Sequence, residues 1–252
     1  MSPGQLWRAL ILSLLFLTRI PVPVRFEPSA LDWGRSAALF PGAGLVIGLI
    51  LVLVHLLVPE GRPGVEAALV LTVWVLITGG LHLDGLADSF DAWIGGYGNR
   101  ARTLEIMKDP RAGPMAVMGV GLVLILKFAA LQALLEGNHW PALLLVPVLG
   151  RGAILTLLLT TPYVRPEGIG VAHAGQLPRI FAIGLVMVIG LLTGLVWGGA
   201  GLILLVLLGL GGWGLRRILI DRLGGATGDT LGAGCELTEA GALTVLALVL
   251  PL

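Results

Sequence analysis

The chain is 252 residues long, 56% hydrophobic and only 12% charged. Soluble domains carry about 25% charged residues, so this composition excludes a water-soluble globule and points to an integral membrane protein. The net charge of +1 gives no electrostatic footprint for nucleic acid, and the single cysteine, Cys235, excludes an internal disulfide framework.

In chain order, Arg8 precedes a short apolar run from Ala9 to Leu17, which is signal-like. Arg19, Pro21 and Pro23 follow without a small-residue cleavage site, so the run is expected to stay as a short interfacial or re-entrant helix. It is too short to cross about 30 Å of hydrocarbon comfortably. Apolar spans are predicted over 37–58, 65–83, 113–135, 141–161, 180–198, 200–220 and 237–252. The sixth must be reached by a tight turn at Trp197, Gly198, Gly199, Ala200 and Gly201, unless one long kinked helix runs through. Lipid demands internally satisfied backbone, which makes helices the default, and no alternating ten-residue segments argue for a barrel. The expected fold class is therefore all-α: a polytopic helical membrane protein of about seven transmembrane helices plus the N-terminal interfacial helix, forming a single domain over 1–252.

Alternating the spans puts Arg8, Arg19, Arg25, Arg35, Arg100, Arg102, Lys108, Arg111, Arg165, Arg179, Arg216, Arg217 and Arg222 on one face, with Arg62 on the other. Cytoplasmic loops collect Lys and Arg, so the basic face is assigned to the cytoplasm and the chain to the inner membrane, multi-pass. Gly190, Gly194 and Gly198, and Gly44 with Gly48, make small-xxx-small steps. These are expected to serve close helix packing within the chain rather than a homo-oligomer seam.

The chemistry-bearing segment is Gly79–Asp91. Asp84, Asp88 and Asp91 are four and three residues apart and share one helical face. Like charges so placed repel, and a bound divalent cation removes the conflict. All-oxygen ligands suit magnesium or manganese rather than zinc. Gly85 leaves room beside Asp84 for a bulky ligand to approach the backbone. A solvated acidic helix end is the plainer reading, but ionisable groups next to a bilayer are costly and usually functional.

In the next loop Arg102, Glu105 and Asp109 would share a face if it is helical, with Lys108 and Arg111 close by. Such mixed charge is normally a salt-bridged surface helix, yet a transferring phosphoryl group needs cations of this kind beside metal. Lys127 and Arg151 fall within spans, where an anionic ligand or the acidic cluster would offset their desolvation. A glycine-rich patch, Gly224–Ala233, precedes the last span with Glu236 and Glu239. It has no Walker ending, and the bland reading is a loop capping a helix. His55, His139 and His173 lack metal-ligand spacing and read as ordinary loop or interface residues. His82 points away from Asp84 in helical projection. Cys235 has no partner for nucleophilic use.

Gly79–Asp91 resembles the signature segment of the cobalamin synthase (adenosylcobinamide-GDP ribazoletransferase) family. The similarity continues in order through Phe16–Pro23, Pro41–Gly44 with Gly48, Leu104–Asp109, Val146–Arg151 and Gly225–Asp229, covering most of the chain. The resemblance implies a magnesium-dependent phosphotransfer in which a ribose hydroxyl of α-ribazole, or of its phosphate, attacks GDP-activated adenosylcobinamide and GMP leaves. It implies Mg2+ as cofactor and those two substrates as partners beside the lipid bilayer. Asp84 and Asp88 are the expected ligands, with Asp91 as ligand or base, and Asp109 and Asp229 rank next as ligands. Arg102, Lys108, Arg111, Lys127, Arg151 and Thr227 are the expected substrate contacts. Two other classes compete: a CDP-alcohol-type membrane phosphotransferase, whose usual arginine after the Asp-Gly pair is replaced here by Asp88 and Ser89, and a cation-coupled transporter, for which no inverted repeat is evident.

Overall fold

The computed structural model describes residues 1–251. It is helical throughout: α1 (Pro3–Leu17), α2 (Ala30–Ala38), α3 (Phe40–Leu57), α4 (Pro63–Thr78), α5 (Leu81–Gly95), α6 (Arg100–Ile106), α7 (Pro114–Glu136), α8 (Pro141–Thr160), α9 (Ile169–Gly175), α10 (Arg179–Leu223) and α11 (Gly228–Val249). Among the described residues the one β-type contact is an isolated bridge between Tyr163 and Ala226. Local sequence explains many of the starts. Proline occupies the first turn of α1, α3, α4, α7 and α8, where its missing N–H costs nothing. Ser2, Ser29 and Thr227 close capping boxes on α1, α2 and α11.

Five helices (α3, α7, α8, α10 and α11) are long and apolar enough to cross a membrane, and α4 and α5, bent against each other, pass the same test when taken together. Their outward faces carry exposed Leu49, Leu53, Leu122, Ile125, Leu195 and Leu210, as lipid-facing surfaces should. The 45-residue α10 is two helices joined at Gly198, whose φ of 52° and ψ of −123° are non-helical. A Cβ on Gly201 would collide with the carbonyl of Thr193, and Gly194 faces Leu202. Residues eight apart in a continuous helix lie about 12 Å apart along the axis, so the chain reverses here. The arms 179–197 and 199–223 account for two of the predicted spans, and the single kinked helix is excluded.

Two predicted boundaries move. The second span does not run straight to residue 83. Gly79 and Gly80 both adopt left-handed φ (63° and 69°), which ends α4 and turns α5 by 88°. The last span starts at Gly228 rather than 237, because the Thr227–Thr230 capping box starts the helix within the glycine-rich patch. The N-terminal helix forms as expected and buries Ala9, Leu12, Ser13 and Leu17 against its neighbours.

α8 and α11 occupy the centre. α8 packs on α3 where Gly44 and Gly48 meet the backbone of Pro147–Val148 and Leu143–Leu144, so that small-residue step is an internal contact. α11 packs on α5, α7 and α8 and draws the acidic segment into the bundle.

A candidate active site where α5 meets α11

α5 carries Asp84, Asp88 and Asp91 on one side and Leu86 on the buried side. Gly85 brings the helix against the start of α11. A Cβ there would lie 2.6 Å from the Asp229 carbonyl oxygen, so the space that glycine leaves is taken by backbone, not by a ligand as expected. This contact joins two motifs nearly 150 positions apart in the chain. Asp84 and Asp229 both line a cavity of about 500 Å3, together with Leu81, His82, Tyr163, Ile169 and His173. Asp88 feels the negative charge of Asp84, Asp229 and Asp91, opposed by Arg165.

The expected three-carboxylate cradle is not formed. Among the described residues no group of three or more His, Cys, Asp or Glu stands ready to hold a metal ion. The reason lies with Asp91, whose two oxygens accept the amide hydrogens of Gly113 (2.5 Å) and Ala116 (2.9 Å) at the N-terminus of α7. Free amides at a helix start attract an anion, and this carboxylate satisfies two of them. Asp229 accepts a hydrogen bond from Arg165 at 2.7 Å. Asp84 and Asp88 are the acids left without a hydrogen-bonded partner, and they suit an ion that needs few protein ligands. Mg2+ is commonly held by one or two carboxylates, substrate phosphate oxygens and water.

The other predicted residues fall into three places. Arg102 pairs with Glu105 at 3.0 Å on the surface of α6. Asp109 lies beyond the end of α6, not on its face, and its carboxylate accepts from the Arg111 guanidinium at 2.9 and 2.7 Å. Hydrogen bonds from the Arg111 side chain and backbone hold the Asp109 carboxyl down at about 2. Lys108 is exposed in the same loop. α6, which leads into this loop, is tied to the end of α5 through Thr103, whose hydroxyl donates to the Gly96 carbonyl at 2.9 Å. Thr227 is fully buried and caps α11.

Lys127 and Arg151 form a separate, deeper cluster. Lys127 donates to Glu236 at 2.6 Å and Glu239 at 2.5 Å, and Arg151 pairs with Glu239. Both Arg151 and Glu239 are 0% exposed, so the desolvation of the two cations is offset by α11 and not by the aspartates. Glu236 and Glu239, expected before the last span, lie inside it. His82, expected to point away from Asp84, lines the same cavity, next to the charges of Arg151 and Lys127. Sequence reasoning missed Arg165. It gave no signal in a short loop beside proline, and only the Tyr163–Ala226 bridge brings that loop to Asp229. It also passed over His173, which is buried on the cavity wall.

Asp84 on a bent membrane helix and Asp229 at the start of α11 line one cavity, with Asp88 and Arg165 close by, an arrangement suited to a membrane-embedded enzyme. The family described as Cobalamin-5-phosphate synthase matches residues 9–247. Three relatives are named adenosylcobinamide-GDP ribazoletransferase. The one from Pseudomonas putida (strain W619) is 52% identical, covering 94% of this chain and 97% of its own. That from Stutzerimonas stutzeri (strain A1501) is 48% identical over 95% and 97%, and that from Pseudomonas fluorescens (strain SBW25) is 46% identical over 94% and 98%. No solved structure matches the chain. The chain belongs to the Cobalamin-5-phosphate synthase family and is a transferase.

Proposed function

We propose that this enzyme joins α-ribazole, or its phosphate, to GDP-activated adenosylcobinamide in the last assembly step of cobalamin biosynthesis. A ribose hydroxyl oxygen attacks the phosphorus on the cobinamide side of the diphosphate. The P–O bond to GMP breaks, GMP leaves with the electron pair, and a phosphodiester remains. The observation that carries this reading is the single cavity in which Asp84 of the Gly79–Asp91 segment faces Asp229 of the Gly225–Asp229 segment.

Asp84, on the cavity wall, is the group suited to hold the nucleophile's hydroxyl and to take its proton as general base. Asp229 holds Arg165 at the same place, where a guanidinium would bind diphosphate oxygens in a fork. Lys108 and Arg111, exposed in the loop that α6 leads into, are further contacts for the guanosine diphosphate end. Magnesium, held by Asp84 and Asp88 with Asp229 and Asp109 next in rank, would neutralise the charge of the diphosphate. Asp91 acts by fixing the start of α7 against α5, and Lys127 and Arg151 act by holding α7, α8 and α11 together behind the cavity. Thr227 sets the position of Asp229 by capping α11. The basic ends of the bundle support a cytoplasmic active face in the inner membrane, which lets soluble nucleotides reach it.

The test is GMP release by detergent-solubilised protein supplied with GDP-cobinamide, α-ribazole and magnesium. Asp84→Asn and Asp88→Asn are each expected to lower turnover more than 100-fold, about 3 kcal/mol of lost transition-state stabilisation, with membrane insertion intact. Near-normal turnover in both variants would reject the assignment.

A further inference from the structure

A second cavity lies across α5 from the aspartates. In helical projection Leu86, Phe90 and Trp93 stand on the face opposite Asp84, Asp88 and Asp91. With Leu215 and Leu219 of α10 and Ala233 of α11 they line an apolar chamber of about 360 Å3. Leu86, Leu219 and Ala233 are buried at its floor. Ile218 and Leu237 are exposed at its rim, so it opens sideways between α10 and α11, where the bilayer would lie. Both hydroxyls on its wall are already spent. Ser89 donates to the Gly85 carbonyl at 2.7 Å and Thr230 to the Thr227 carbonyl at 3.1 Å. A polar ligand would lose its bonds to water and find none here, whereas a hydrocarbon chain loses nothing.

The charge at its mouth narrows the occupant. Leu215, Leu219 and Arg222 follow one face of α10, and Leu215 lies about 10 Å deeper along the axis than Arg222. Arg222 therefore sits at the basic end of the chamber. Its guanidinium lies 5.4 Å from the ring centroids of both Trp93 and Tyr97, and one N–H donates to the Trp93 carbonyl at 3.1 Å. Cation–π contacts of this kind hold a guanidinium in place without neutralising it. Arg100 reaches the same spot, its guanidinium 3.4 Å from where a Cβ on Gly224 would stand. Among the described residues no carboxylate lies within ion-pair distance of either arginine, Asp221 included. Two uncompensated cations and an aromatic pair above a hydrocarbon-lined slot match an anionic amphiphile, and an ammonium-bearing head group would be repelled. We propose that the groove between α5, α10 and α11 binds one anionic phospholipid, with an acyl chain in the chamber and the phosphate on Arg222 and Arg100. The chain fills the space behind the aspartate helix and packs α5 against α11. This site lies apart from the transfer chemistry, and its test does not depend on the function proposed above.

The experiment is native mass spectrometry of the delipidated full chain in detergent, titrated with phosphatidylglycerol or with phosphatidylcholine of the same acyl chains. One phosphatidylglycerol is expected to bind about tenfold more tightly than phosphatidylcholine. Arg222→Gln should weaken phosphatidylglycerol about fivefold, the worth of one basic residue at an anionic lipid surface, and leave phosphatidylcholine within about twofold. Ile218→Trp, which places a ring at the exposed rim, should weaken both lipids by blocking the chamber. Arg62→Gln, on the opposite face of the bundle, should change neither. Glycerol 3-phosphate, which carries the charge without the chains, should not displace the bound lipid. Equal affinity of the wild-type protein for the two lipids overturns the site even if Arg222→Gln fails to fold. So does unchanged lipid preference in Arg222→Gln, unchanged binding in Ile218→Trp, or full displacement by glycerol 3-phosphate, which would leave only an anion site.

Discussion

At the residue scale, three aspartates on one helical face have three different fates. Asp84 opens on the cavity, Asp88 sits in the field of its neighbours, and Asp91 is bound to two backbone amides of α7. Spacing alone placed them together, and that much of the site was legible. What spacing omits is the competition for each oxygen, because the amides that claim Asp91 lie more than 20 residues further on. The distinction has a measurable consequence. Removing a side chain that caps a helix start costs about 1 kcal/mol, with a range of about 0.5–2. Asp91→Ala should therefore lower the thermal unfolding midpoint in detergent by a few degrees, whereas Asp84→Asn should not lower it. Equal midpoints for Asp91→Ala and the wild-type protein would remove the capping role.

At the element scale, α11 organises both the site and its support. Its first turn presents Asp229 to α5, and its third and fourth turns present Glu236 and Glu239 to Lys127 and Arg151. Sequence reasoning started this helix too late because glycines and threonines look like loop. Here Thr227 and Thr230 satisfy each other's amides, and the glycines let α5 and α8 come close. The hairpin in α10 was legible in its glycine and tryptophan cluster. Only the contact of Gly201 with Thr193 separates a reversal from a kink. Breaking a buried ion pair by neutralising one partner costs about 3–5 kcal/mol, because the other charge stays buried. Glu239 answers both cations and Glu236 only one. Glu239→Gln should thus reduce the folded fraction recovered from membranes more severely than Glu236→Gln, as read by size-exclusion chromatography of the solubilised protein. The reverse order would show that Glu236 anchors the cluster.

At the scale of the whole molecule, composition pointed to the membrane and the length of the apolar runs to the helices, since lipid leaves few other options for a backbone. The bend between α4 and α5 was not legible, because two adjacent glycines are equally compatible with a straight span. The charge asymmetry makes orientation testable. A cysteine replacing Glu60, beside Arg62 and exposed between α3 and α4, should react with a membrane-impermeant maleimide in intact spheroplasts. One replacing Tyr97, exposed between α5 and α6, should react only after permeabilisation. Native Cys235 is buried and serves as the silent background. Labelling of Tyr97→Cys alone in intact spheroplasts would invert the orientation.

The bend has one more consequence. Where α4 stops, the Ile77 carbonyl is released from its ladder, and the amide of Arg19 donates to it at 2.6 Å. The chain just after α1 is therefore clasped to a strand of polypeptide the ribosome makes much later. During biosynthesis α2 and α3 can cover α1 soon after it is made, but the segment that follows α1 is fixed at Arg19 only once α4 has been delivered. The two glycines that end α4 thus also free the acceptor that anchors the N-terminal segment to the membrane bundle.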